Sequence, residues 1–171
     1  MNYMSSAKLP LILLMALGLA APKVDAHGIV RREQPGLPIA SSITVPAGAE
    51  LIFIGGTLAD VKEPGTAPGL APRLGNTADQ ARSVLGKIQA ELVAAGYTMG
   101  DIVKMEVYLV ADPATDGQVD ILGLLSAYKT YFNQDAGGLP TRTTVQVAGL
   151  PLPGALVQIA VTAARANHAA H

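Results

Sequence analysis

NTADQARSVLGKIQAELVAAG, residues 76–96, runs directly into YTMGDIVKMEVYLV, residues 97–110, and the change of period between them decides the fold class. In the first stretch Ala81, Val84, Leu85, Ile88, Leu92 and Ala95 recur at three- and four-residue steps, the spacing of one helix face. Thr77 and Gln80 have the spacing of a capping box, and Gly96 suits a left-handed stop. Over residues 102–110 the period drops to two. Val103, Met105, Val107 and Leu109 face one way, while Lys104, Glu106 and Tyr108 face the other. This is a strand with one side in a core.

Upstream, residues 41–45 (SSITV) form a short strand and Pro46-Ala47-Gly48 turns the chain. ELIFIGGTL, residues 50–58, is a second strand, expected to pair with the first. Gly55 and Gly56 inside it mark a bulge or a close approach to the backbone. Residues 60–75 are rich in proline and glycine and form a loop, mobile or serving as a lid. Downstream, Val119, Leu122, Leu125, Tyr128 and Phe132 stripe a helix from about residue 118 to 132. Strands at 143–148 and 156–164, joined by LPLPG, close the domain. The order ββαβαββ gives an α+β sandwich, a mixed sheet with two helices on one face. Its other face, set with Ala, Thr and Tyr, suits burial against copies of the same chain.

Composition narrows the function. The chain has 171 residues, half of them apolar, with 15% charged and a net charge of -1. That length supports one domain, and with no basic tract nothing suggests a nucleic-acid partner. No cysteine occurs, which removes disulfides, thiolate metal sites and a cysteine nucleophile. Residues 1–26 have the layout of a signal peptide: Lys8, a thirteen-residue apolar run at 9–21, then Val24 and Ala26 before a cut. The run is too short for a membrane anchor, since a spanning helix needs about 20 residues. Cleavage after Ala26 and a periplasmic or secreted product are expected. Residues 27–40 then form an N-terminal arm, 41–165 the domain and 166–171 a flexible tail.

Few side chains in the body carry chemistry. No histidine there can serve a serine triad, and GLAPRLG lacks the lysine and spacing of a phosphate loop. His27, once freed as the N-terminus, would pair its amine with its imidazole as copper-chelating groups do. His27, His168 and His171 nevertheless read as solvated residues of the chain ends. Glu106 beside Lys104 reads as an ion pair, and Asp101 as a turn residue. Arg142 is the one charged residue of GGLPTRTTVQVAGLPLPGA, residues 137–155. Taken alone, it reads as a solvated surface cation.

AAGYTMGDIVKMEVYLV, SAYKTYFNQ and LPTRTTVQVAGLPLPGALVQIAVTA resemble segments of the RidA family of reactive-intermediate deaminases, the YjgF-like proteins. ELIFIGGTL resembles the family's second strand more loosely. The resemblance implies a chorismate-mutase-like fold and a homotrimer with ligand pockets between subunits. It also implies hydrolysis of imines and enamines to 2-oxo acids and ammonia, with no metal or cofactor. Arg142 matches the family arginine that grips the substrate carboxylate, a flat donor fork suited to bidentate pairing. Gln158 stands where the family carries the glutamate that orients water, and Ala160 where a second acid is common. Gly55-Gly56 replaces the family's Ser-Gly, and Pro38-Ile39 its Pro-Tyr, while Tyr128 matches the helix tyrosine. The resemblance thus assigns catalysis to Arg142 and Gln158, and substrate contact to Arg142, Gly55, Gly56, Tyr128 and Ile39. An amide holds water but accepts no proton, so a non-catalytic trimer binding small carboxylates is the alternative.

Overall fold

In a computed structural model of the chain, the structure describes residues 22–25, 28–63, 72–133 and 138–165. The elements in chain order are β1 (Lys23–Val24), β2 (Val30–Glu33), β3 (Ala40–Thr44), β4 (Glu50–Leu58) and α1 (Thr77–Ala94). They continue with β5 (Ile102–Leu109), α2 (Ile121–Tyr131), β6 (Thr141–Gln146) and β7 (Val157–Arg165). No helix among the described residues is long and apolar enough to cross a membrane.

The expected periodicity builds the core. Ala81, Val84, Leu85, Ile88 and Leu92 on α1 are fully buried, and β5 sets Met105, Val107 and Leu109 against them. Gly96 takes φ +79°, and Tyr97 N–H donates back to the Leu92 carbonyl at 2.7 Å, ending the helix as expected. The start differs. Asn76 is the cap, its side chain accepting from Asp79 N–H at 2.9 Å, and Thr77 is already inside the helix. Gln80 is therefore free for another task. Its amide donates to the carbonyls of Gly75 and Gly154, both at 3.0 Å, and accepts from Leu156 N–H at 2.8 Å. It locks the connection before β7 onto the head of α1.

The second helix is shorter than the stripe suggested, because Asp120 caps it by accepting from Gly123 N–H at 2.7 Å. Leu124, Ala127 and Tyr128 are buried and Leu122 is 79% exposed, so Leu122 does not belong to the core stripe. The main sheet has the order β4-β7-β5-β6, with β5 and β6 parallel and the other pairs antiparallel. The parallel pair needs a crossover, and α2 supplies it. The α+β architecture, with α1 and α2 packed together on one face of a mixed sheet, follows.

The N-terminal third departs from expectation. β3 does not pair with β4; it pairs with β2, and β4 runs against β7 along both strands' length. Residues 27–40, read as an arm, contain β2, whose Arg31 is buried. Its charged sequence VRRE conceals a strand that joins β1 and β3 in a separate three-stranded sheet. Residues 22–25, assigned to the leader, include β1. The apolar run at 9–21, the tip of the 60–75 loop at 64–71, His27 and the tail at 166–171 lie outside the described residues. The base of that loop is closed by a bridge between Glu63 and Arg73.

Candidate functional site

β6 places Arg142 directly beside Met105 of β5, so its side chain leaves the sheet on the helix-covered face. There the guanidinium carbon lies 4.5 Å from the centroid of the Tyr128 ring. Tyr128 is fully buried, stacks on Phe132 at 4.5 Å, and its hydroxyl donates to the Pro38 carbonyl at 2.9 Å. Ala40 N–H donates to the Pro140 carbonyl at 2.9 Å, so the segment around Ile39 is tied to both α2 and the root of β6. Arg142, Tyr128 and Ile39 thus belong to one corner of the fold.

Electrostatics mark this corner. Burial lowers the Arg142 pKa, offset in part by the Tyr128 hydroxyl. The Arg142 Nη1 is shielded from solvent and has no hydrogen-bond partner among the described residues. Stacking on an aromatic face recovers roughly 0.5–2 kcal/mol, and it satisfies no N–H donor. A half-buried guanidinium with an idle donor is set to receive an anion. Burial also pushes the Tyr128 pKa up to about 12, so this phenol stays neutral beside the cation.

The second group of residues forms on the opposite face. Val157 and Ile159 point into the core, so Gln158 between them points away, level with Tyr108 of β5. The β4–β7 register shifts between Ile54 and Thr57, which makes Gly55-Gly56 a bulge. Any Cβ on Gly56 would overlap the Gln158 side-chain amide, so the glycine leaves room for it. Gln158, Gly55 and Gly56 are brought together here. Within one chain they are separated from Arg142 and Tyr128 by the thickness of the sheet.

This uncovered face carries Leu51 and Phe53 of β4, 46% and 73% exposed, and Val145 of β6 at 42%. Lys104 and Glu106 pair on it at 3.0 Å, as their spacing suggested. Asp101 caps the short turn before β5, accepting from Thr98 N–H at 2.7 Å. Sequence reasoning passed over Arg31, which sits on a cavity of about 1030 Å³ beneath the N-terminal sheet. The apolar pair Ile29-Val30 ahead of it was the available signal for a strand.

The sequence profile of the family described as endoribonuclease L-PSP matches residues 49–165. TdcF of Escherichia coli strain K12, named as a reactive intermediate deaminase, is 43% identical over 75 residues, which are 43% of this chain and 52% of TdcF. A RutC family protein of Pyrococcus horikoshii is 36% identical over 77 residues, 45% of this chain and 54% of its own. The chain thus spans about half the length of these curated relatives. Among solved structures, E. coli TdcF with bound serine has a TM-score of 0.53 at 31% identity, covering 71% of this chain and 85% of that one. The E. coli YjgF gene product has a TM-score of 0.52 at 30% identity, covering 71% and 84%. With its sheet order, its helix pair and a profile match over most of its length, this chain belongs to the endoribonuclease L-PSP family, that of the YjgF and RidA proteins.

Proposed function

We propose that this protein hydrolyses small 2-imino and enamine acids to 2-oxo acids and ammonia, with Arg142 holding the substrate carboxylate. The observation that carries the reading is the shielded, unpartnered Nη1 of Arg142 over the Tyr128 ring. Two parallel N–H bonds to a carboxylate would satisfy the guanidinium and align the substrate. Water then adds to the imine carbon, the carbon–nitrogen bond breaks, and nitrogen leaves as ammonia after taking protons from the water. The imine nitrogen is itself basic, so the protein needs mainly to orient the attacking water. Gln158 is suited to that task through its amide oxygen, and Gly55 and Gly56 give it room.

Because Arg142 and Gln158 lie on opposite faces of one sheet, a single ligand meets both only where two copies join. A homotrimer in which the uncovered face of one copy meets the β6 edge of the next is the arrangement we propose. The three clefts need no metal or cofactor for this hydrolysis. We place the protein in the periplasm or outside the cell, released from residues 1–26 by cleavage after Ala26.

One observation favours a second reading, a non-catalytic trimer that captures small carboxylates. Gln158 accepts no proton and has no acidic neighbour at Ala160. A coupled assay with freshly generated 2-iminobutanoate separates the two. Ammonia release above the spontaneous rate supports the deaminase. Thermal stabilisation by 2-oxobutanoate without ammonia release would leave binding alone.

A further inference from the structure

Arg31 is the most deeply buried cation among the described residues, at 4% exposure. Its Nη2 donates to the Gly100 carbonyl at 2.9 Å and lies 3.7 Å from Asp25 Oδ2. Nε and Nη1 have no partner among the described residues. Gly138 packs against the guanidinium so closely that a Cβ there would fall 2.6 Å from Nε and 2.8 Å from Nη1. A guanidinium carries five donors, and leaving several of them buried and idle is costly. The cavity beside it is lined by Arg31, Lys23, Asp25, Phe132, Asn133 and Leu139.

Asp25 and Asp101 both offset the Arg31 charge, and Asp25, the stronger of the two, is held there by a slight segment. Asp25 bonds through its backbone to Ile29 and Gly28, and its Oδ1 accepts from Ile29 N–H at 3.0 Å. Ahead of it β1 has only two residues, both exposed, with an exposed pair of Lys23 and Glu33 at 2.6 Å. All of 22–25 lies on the leader side of the expected cut. The chain therefore presents a carboxylate to Arg31 on a piece that processing would remove.

We propose that residues 22–25 plug a carboxylate-binding pocket built on Arg31, and that cleavage after Ala26 opens it to a small organic carboxylate with an apolar body. The ligand's acid group takes the place of Asp25, and Phe132 and Leu139 receive its apolar part. This rests on the export reading above, and it concerns a pocket whose lining does not include Arg142. Phe132, stacked on Tyr128, links the two corners.

The full-length chain is expressed for export, and the processed protein is titrated with benzoate by calorimetry. Beside it, in the same detergent, stands a precursor whose cut is blocked by Ala26→Pro. The processed protein should bind benzoate at least tenfold more tightly than the blocked precursor. Arg142→Ala in every titrated protein removes the carboxylate clamp proposed above, so that benzoate reports on Arg31 alone. Asp25→Ala in the blocked precursor should then restore binding, and Arg31→Gln in the processed protein should remove it. Equal affinity in the processed and blocked forms would overturn the plug, as would binding that survives Arg31→Gln in this background. Mass spectrometry showing an intact Met1 end on exported protein would defeat the processing step. The Asp25→Ala precursor then decides the pocket alone, and its failure to bind benzoate would dismiss that too.

Discussion

Tyr128 supports the guanidinium of Arg142 with its ring and holds the turn at Pro38 with its hydroxyl. Tyr128→Phe keeps the ring and removes one buried hydrogen bond, so it should cost about 1 kcal/mol in denaturant unfolding. The same tyrosine predicts a pH dependence. Its pKa rises from 10.0 to about 12 on folding because burial disfavours the phenolate. The neutral form is thus favoured in the folded state, a contribution complete below pH 10 and lost as pH rises toward 12. Over that window stability should fall by roughly 1.4 kcal/mol per pH unit on its account. Unfolding curves of Tyr128→Phe should lack this component; an unchanged slope would place the tyrosine in contact with water.

At the scale of elements, Gln80 joins α1 to the connection before β7 through three hydrogen bonds. Gln80→Ala leaves two carbonyls and one N–H of that junction without their partner and should destabilise the domain by roughly 3 kcal/mol. The Gly55-Gly56 bulge allows a gentler test. Gly56→Ala displaces the end of the flexible Gln158 side chain rather than backbone, so stability should change by less than about 1 kcal/mol. Ammonia release should nonetheless fall about tenfold if Gln158 orients the water. Elements with strong periods were legible in the sequence. α1, β5 and β7 follow from their apolar spacing, and the bulge follows from paired glycines in a strand. The pairing of β3 was not legible, because its true partner β2 is written in charged residues that resemble an arm. Leu122 was misplaced because the apolar cluster Ile121, Leu122, Leu124 and Leu125 fits more than one helical phase, and packing against α1 and the sheet selects Leu124, Ala127 and Tyr128. Arg142 was visible as an isolated charge. Its stacking on Tyr128 was not, since residues 128 and 142 meet only through the crossover.

For the whole molecule the issue is what covers the bare side of the sheet. Leu51, Phe53 and Val145 make it too apolar to face water comfortably. Sedimentation of the wild-type protein at micromolar concentration should show a trimer, and Phe53→Glu should shift it to monomer, since a charge buried at a subunit seam is strongly unfavourable. Activity should follow the trimer, because one chain cannot bring Arg142 and Gln158 to the same ligand. The expectations on activity depend on the guanidinium at the root of β6 being a carboxylate clamp. The most direct measurement is the rate of ammonia release from freshly generated 2-iminobutanoate by the wild-type and Arg142→Ala proteins. The clamp predicts hydrolysis above the spontaneous rate in the wild type and its loss in the variant, whereas equal rates in the two proteins would contradict it.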